Sequence, residues 1–393
     1  MLFLIVAIGL GSIPALVFSI EVLGALLAAG LFTSDDELNA GRVAVVVPAH
    51  NESKGIIPTL QDVLSQSRGH DRVIVVADNC DDDTAAVAAA HGAEVLVRNE
   101  PDLRGKGYAM AWAVAHLKEE PPDFVLFVDA DCRLEAGLVA RLLHRCIQVQ
   151  RPVQALYLMV AGVEAAPRQR VAEFAWRLKN WVRPLGLSRF GWPVQLMGTG
   201  MIFPWNVIKS VSIASGSIVE DLKLGLDLAI AGAPAHFLST AKVTSEFPTV
   251  ETGAEVQRER WIQGHLAIIK HYAPRLLLEA LVKRRGDLAV LTFDLLVPPM
   301  SLLVLISVGM IAAAGLTTLI SGDILPVSLA LLNFALLSLS LLLAWWKFGR
   351  DILAVGHIPL VAGEILRRVR LFKNLIGRPR AQWIRADRRK AGD

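Results

Sequence analysis

Three groups of side chains in this 393-residue chain are of types that do chemistry. Asp129-Ala130-Asp131 sets two carboxylates two residues apart, so on extended backbone both can lie on one side and share a cation. A hard divalent ion, Mg²⁺ or Mn²⁺, takes such oxygens together with diphosphate oxygens and neutralises charge developing on a leaving group. In Glu220-Asp221-Leu222-Lys223, one carboxylate could remove a proton from a hydroxyl. Gln257, Arg260 and Trp261, at i, i+3 and i+4, share one face of a helix. A guanidinium there can hold a diphosphate bidentately, and an indole can stack on a ring. Each group has a plain alternative: a solvated strand-end turn, an acidic helix N-terminus favoured by the helix dipole, and an amphipathic helix on a membrane surface.

Further polar residues fall at strand tips and tight turns. Pro48-Ala49-His50-Asn51-Glu52 closes one apolar run and Asp78-Asn79-Cys80-Asp81-Asp82-Asp83 closes another. Asp78 could accept a hydrogen bond from a nucleobase imide, whereas Asp82 or Asp83 is placed to cap a helix beginning near Thr84. His50 reads as a structural hydrogen-bonder rather than a catalyst. Arg104-Gly105-Lys106-Gly107 opens a helix and could bring a cation and free amides to a phosphate, or form a surface turn. Met197-Gly198-Thr199-Gly200-Met201 is an apolar stretch broken by two glycines and a hydroxyl, suited to close approach of a ligand to backbone or to a tight turn.

The elements that must position these residues divide sharply by composition. With 53% hydrophobic and 20% charged residues the chain is too apolar for an ordinary soluble enzyme, and it reads as a membrane protein. Residues 1–29 carry no Lys or Arg and only Glu21, which suits an N-terminal transmembrane helix better than a cleaved signal peptide. Two more spans fall within 286–346, about Leu288–Ile320 and Ile324–Trp346, around the turn Ser321-Gly322-Asp323. Pro298-Pro299 should divide the first into a lead-in segment and a span starting near Met300. Lys283, Arg284, Arg285, Lys347 and Arg350 flank these spans and orient the central region and the tail to the cytoplasm. Residues 347–393 read as an interfacial helix near 351–366 and a basic tail, Lys373–Lys390 with Trp383, suited to anionic headgroups. The formal charge of +3 hides this clustering, and no nucleic-acid motif is present. Cys80, Cys132 and Cys146 have no metal-ligand spacing and read as reduced thiols.

Residues 40–285 form one region long enough for a single domain. Its first half alternates: strands at Val43–Pro48, Val73–Ala77, Glu94–Val97 and Phe124–Val128, with helices to Gln66, at Thr84–Ala90 and at Lys106–Leu117. That order predicts a doubly wound, Rossmann-like α/β domain with ligands at the carboxyl ends of its strands. The second half, from about Gln154, is less regular.

The ordered set Val-Pro-Ala-His-Asn-Glu (47–52), Val-Ala-Asp-Asn (76–79), Val-Asp-Ala-Asp (128–131), Val-Glu-Asp (219–221) and Gln-Arg-Glu-Arg-Trp (257–261) resembles the membrane-embedded family 2 glycosyltransferases. Their relatives include cellulose, hyaluronan and poly-N-acetylglucosamine synthases and ceramide glucosyltransferase. The resemblance implies an inverting enzyme with a GT-A domain between N- and C-terminal transmembrane helices, using a nucleotide-sugar donor with Mg²⁺ or Mn²⁺. It implies that Pro48, Asn51, Glu52, Asp78, Lys106, Asp129, Gln257, Arg260 and Trp261 bind the nucleotide sugar. Asp129 and Asp131 would hold the metal, Asp221 would be the base, and Gly198, Thr199, Glu220 and Trp261 would face the acceptor. The chain departs from the pattern at Ala77, where a second carboxylate is commoner. Three spans are few for a polymer-conducting channel. The expected activity is therefore transfer of a hexose or N-acetylhexosamine, from UDP, to a lipid-linked acceptor in bacterial cell-surface polysaccharide assembly at the inner membrane. A processive synthase working with partner proteins is the second reading, and a catalytically silent scaffold the third. A sugar-1-phosphate nucleotidyltransferase would want a Gly-rich basic loop after its first strand, which Pro48–Glu52 is not.

Overall fold

The structure is a computed structural model and describes residues 2–28, 41–162, 164–247, 251–357, 359–361 and 363–365. The chain divides into two compact units, one of residues 30–160, 193–264 and 382–393, the other of residues 1–29, 161–192 and 265–381. In chain order the elements are α1 Leu2–Leu27, β1 Val43–Ala49, α2 Ile56–Leu64, β2 Arg72–Asp78, α3 Thr84–Ala90, β3 Glu94–Arg98, α4 Lys106–His116 and β4 Phe124–Phe127. Next come β5 Arg133–Leu134, α5 Leu138–Val149, β6 Val153–Val160, α6 Pro167–Arg177, α7 Arg183–Arg189, β7 Met201–Pro204, α8 Trp205–Ile208 and α9 Glu220–Ile230. The chain continues through β8 His236–Glu246, α10 Glu251–Val282, α11 Gly286–Leu295, α12 Met300–Ser321 and α13 Leu325–Phe348.

The first unit is built on one eight-stranded sheet of order β3-β2-β1-β4-β7-β6-β8-β5. β1 and β2 carry apolar, β-branched runs and β4 an apolar, partly aromatic one, as suits strands buried on both faces of a sheet. β3, β2, β1 and β4 are mutually parallel, as the alternation predicts, with Val46 opposite Ile74 on one side and Phe127 on the other. Beyond β4 the sheet becomes mixed: β7 runs antiparallel to β4 and β6, and β8 pairs parallel with β6 and antiparallel with β5. The irregular second half of the sequence therefore completes the same sheet. Its strands return by crossovers of many residues, and short-range patterning does not announce such pairings.

The second unit is helical. Phe3–Leu27, Met300–Ser321 and Leu325–Phe348 are long and apolar enough to cross a membrane. The Pro298-Pro299 break stands where the sequence predicts it, separating the short α11 from α12. α1 and α7 approach closely at two glycines, so that a Cβ on Gly24 would lie 2.7 Å from the Gly186 carbonyl oxygen. Arg183 on α7 is buried between Glu21 of α1, 2.7 Å away, and Asp294 of α11, 2.5 Å away. At the end of α13 the Lys347 ammonium donates to the Leu26 carbonyl at 2.8 Å. Residues 359–361 and 363–365 are helical, within the expected interfacial segment. The basic tail, Lys373–Lys390 with Trp383, lies outside the described residues.

Candidate active site

The carboxyl ends of β1, β2 and β4 carry the polar residues. Asn51 turns with φ +54°, and its side-chain oxygen accepts the Asp81 N–H at 2.9 Å, tying the first strand tip to the second. The Glu52 N–H donates to the Thr84 hydroxyl at 2.8 Å, and Pro48 stands in register with Val76. His50 Nδ1 pairs with the Asp78 carbonyl at 2.8 Å, the structural role expected of it. Of the two capping candidates, Asp83 stands at the N-cap without a side-chain cap bond, and the Asp82 carboxylate before it accepts from the Thr84 N–H and hydroxyl and from the Ser53 N–H. Burial opposes the Asp82 charge, but these bonds outweigh it and hold the carboxyl down at about 2.

Asp78 is buried at the end of β2, and its Oδ1 accepts from Arg98 at 2.5 Å and from the Asn79 amide at 3.0 Å. Arg98 in turn lies over the Tyr108 ring, 5.6 Å from its centroid. The Asp78 carboxylate is thus held in place by a buried guanidinium. Arg98 is not among the residues the sequence singles out, because its signal is only a cation ending a short strand that opens on Glu94.

Asp129 and Asp131 follow β4 as expected. Their carboxylate oxygens and the Cys132 sulfur lie within 4.8 Å of one another, a donor set that offers a hard cation two carboxylates. Asp129 forms an ion pair with Lys106, the first residue of α4. Lys106 also donates to the Gly198 carbonyl at 2.6 Å. Burial alone would lower the lysine, but Asp129, Glu220 and Asp221 hold it above its ordinary value. Burial pushes Asp129 up, with Asp131 and Asp221 adding to it against the pull of Lys106.

The Gly198-Thr199-Gly200 turn is possible because Gly198 and Gly200 hold φ at +95° and +65°. A Cβ on Gly198 would lie 3.2 Å from Asp221 Oδ2 and 3.6 Å from Lys106 Nζ, so any side chain there would crowd both. The fully buried Thr199 hydroxyl accepts the Asp129 N–H at 3.0 Å. Gln154 of β6, also fully buried, donates to the Thr199 and Ala155 carbonyls and accepts the Met197 N–H at 2.8 Å.

Glu220 and Asp221 open α9. Burial, then the adjoining Asp221, pushes the Glu220 carboxyl up to about 8 against the attraction of Lys106. Gln257, Arg260 and Trp261 stand on α10, and only for the last two are side chains described. Burial lowers Arg260, with the Glu220 charge opposing. One turn further on, Gly264 packs against Val219, which immediately precedes Glu220: a Cβ would meet the Val219 side chain at 2.9 Å. Arg104 stays at the surface, donating to the Pro101 carbonyl. The three cysteines are free thiols.

A profile of the glycosyltransferase-like family 2 matches residues 40–264, and the chain belongs to that family. It is a glycosyltransferase of the GT-A type of fold. An uncharacterized glycosyltransferase of Mycobacterium tuberculosis is 29% identical over 189 residues, covering 42% of this chain and 82% of the relative. The low-salt glycan biosynthesis hexosyltransferase Agl6 of Haloferax volcanii is 33% identical over 119 residues, 29% of this chain and 26% of that one. Among solved structures, the mannosyltransferase PcManGT of Pyrobaculum calidifontis, in complex with GDP-Man and Mn²⁺, shares the fold at a TM-score of 0.55. It is 18% identical, with 92% of this chain and 98% of that chain covered.

Proposed function

We propose that this chain is an inverting, metal-dependent glycosyltransferase moving a hexose or N-acetylhexosamine from a nucleoside-diphosphate sugar, UDP-linked, to a lipid-linked acceptor in bacterial surface-polysaccharide assembly. The observation that carries it is the convergence of Asp129, Lys106 and Asp221 on the Gly198 turn, charges of both signs around a backbone that only glycine can form. Mn²⁺ in the Pyrobaculum mannosyltransferase complex, and the carboxylates of Asp129 and Asp131 here, support a divalent ion that would offset charge on the departing diphosphate.

In this reading the residues divide the work. Asp78, aligned by Arg98, takes the base, with Pro48, Asn51 and Glu52 shaping the crevice. Lys106, Gln257 and Arg260 take the diphosphate, whose charge a guanidinium and an ammonium balance. Asp221 removes the proton from the acceptor hydroxyl as its oxygen bonds to the anomeric carbon and the bond to the diphosphate breaks. Gly198, Thr199, Glu220 and Trp261 border the acceptor. One base opposite one departing diphosphate needs no covalent glycosyl-enzyme, so the configuration inverts.

Residues 40–285 form the cytoplasmic catalytic domain in this proposal, anchored by the three apolar helices in the inner membrane. Such helices would hold the enzyme beside a lipid substrate. Three candidate spans among the described residues are few for secretion, so processive synthesis with partner proteins is the second reading.

The test is release of nucleoside diphosphate from a panel of UDP- and GDP-sugars by detergent-purified protein with Mn²⁺ or Mg²⁺, with and without polyprenyl-lipid extract. Lipid-stimulated turnover of one donor, lost in Asp221→Asn, supports the reading. Turnover that the lipid extract does not stimulate overturns the lipid assignment, and none with any donor overturns the catalytic one.

A further inference from the structure

The metal-binding loop is gripped from below by a helix that carries none of the family motifs. Thr59, on α2, is buried, and its hydroxyl reaches the Ala130 carbonyl at 2.8 Å and the Cys132 carbonyl at 2.7 Å. These carbonyls belong to the residues on either side of Asp131. A hydroxyl has one proton, so the two oxygens share it, and both are turned inward to meet it. Three residues on, along the same face of α2, Asp62 accepts from both Arg133 nitrogens at 2.7 and 2.9 Å and from the Leu134 N–H at 3.0 Å. One helical turn therefore fixes four points of the chain beyond Asp129. On the opposite side the Thr199 hydroxyl takes the Asp129 N–H.

We infer that Thr59 is a positioning residue for the divalent cation of the proposed reaction, holding the Asp129 and Asp131 carboxylates at a fixed separation by pinning the backbone between and beyond them; this rests on the metal-dependent reading above. The physical ground is that two carboxylates on a loop bind a cation tightly only when their spacing exists before the cation arrives, since ordering them otherwise costs free energy at each binding event. Carbonyls pinned by a side chain 71 and 73 residues distant cannot rotate without breaking a buried hydrogen bond. Valine at this position keeps the shape and removes the proton the two carbonyls share.

Mn²⁺ binding to the full-length detergent-purified protein, without substrate, is measured by the loss of the free-ion electron paramagnetic resonance signal. Thr59→Val is expected to weaken Mn²⁺ binding by about tenfold or more. Thr59→Ser, which restores the donor, should bind within about threefold of wild type, and excess Mn²⁺ should recover most of the turnover of Thr59→Val. If Thr59→Val does not fold, Thr59→Ala replaces it and the comparison with Thr59→Ser decides in the same way. Equal Mn²⁺ affinity in wild type and the variant lacking the hydroxyl overturns the inference while leaving the glycosyltransferase reading intact, as does equal weakening in Thr59→Ser. A wild-type protein that binds no Mn²⁺ overturns both.

Discussion

Two neighbouring carboxyls, Glu220 and Asp221, stand at the start of α9, and the proposed reaction assigns them different work. Glu220, raised to about 8 chiefly by burial, keeps its proton at neutral pH. A carboxyl that already holds its proton cannot take one from an acceptor hydroxyl, so in the proposed reaction the base is Asp221. Asp221→Asn is expected to lower kcat by about 10²- to 10⁴-fold, the usual worth of a general base. Glu220→Gln, which mimics the protonated form, should keep turnover within about tenfold of wild type at pH 7. Wild-type rates should bend near pH 8, where Glu220 ionises beside Asp221 and Lys106, and the bend should be missing from Glu220→Gln. Rate profiles over pH 6–9 check all three, and loss of activity in Glu220→Gln as deep as in Asp221→Asn would reverse the assignment. The carboxylates of this site were legible in the sequence because strand-end placement and acid content are local signals. Arg98, Thr59 and Gln154 were not, since each acts on a partner at least 20 residues away and looks, locally, like an unremarked polar side chain.

At the scale of elements, the parallel half of the sheet was readable from β-branched runs alternating with helical spacing, whereas the antiparallel half was not. β7 has four residues and β5 two, too short for either period to register, and they are placed by pairing with β4 and β8. Beside its apolar core, the second half is held by a polar, long-range set of hydrogen bonds. Gln154 of β6 satisfies three backbone groups of the segment 155–199, and Gln154→Met would orphan them in a dry interior. Each such group costs about 1–3 kcal/mol, so the variant should melt well below wild type by circular dichroism. His236, the first residue of β8, gives this half its pH sensitivity. Burial, then Arg145 and Arg151, lowers its imidazole to about 4. The unfolded chain, with an ordinary histidine near pH 6.5, binds the proton more readily than the fold does. Stability present above about pH 6.5 is therefore lost as pH falls toward 4. His236→Asn should flatten that fall, and melting temperature against pH in both proteins checks it.

For the molecule as a membrane protein, orientation turns on which end of the helical unit gathers charge. The Arg183 side chain is 7% exposed and Glu21 1%, and Lys347 caps the carbonyl end of α1, so the C-terminal ends of α1 and α13 lie at one level. Arg177 joins them by pairing with Asp351, and Arg350 lies over the exposed Trp346, an arrangement of cations and indoles that suits a membrane boundary. The opposite end is the turn at 321–323, closed by the Thr318 hydroxyl donating to the Asp323 carbonyl and by the Asp323 carboxylate taking the Leu325 N–H. That turn holds no Lys or Arg, unlike the end that carries Lys347 and Arg350. In the proposed topology the positive-inside rule sets this cationic end toward the cytoplasm. A single cysteine placed at Gly322 should react with a membrane-impermeant maleimide in spheroplasts of the expressing bacterium, while one at Arg350 should react only after lysis. Cys80→Ser, Cys132→Ser and Cys146→Ser remove the background, and reaction of the Arg350 position in unlysed spheroplasts would invert the topology and separate the site from nucleotide sugars made in the cytoplasm.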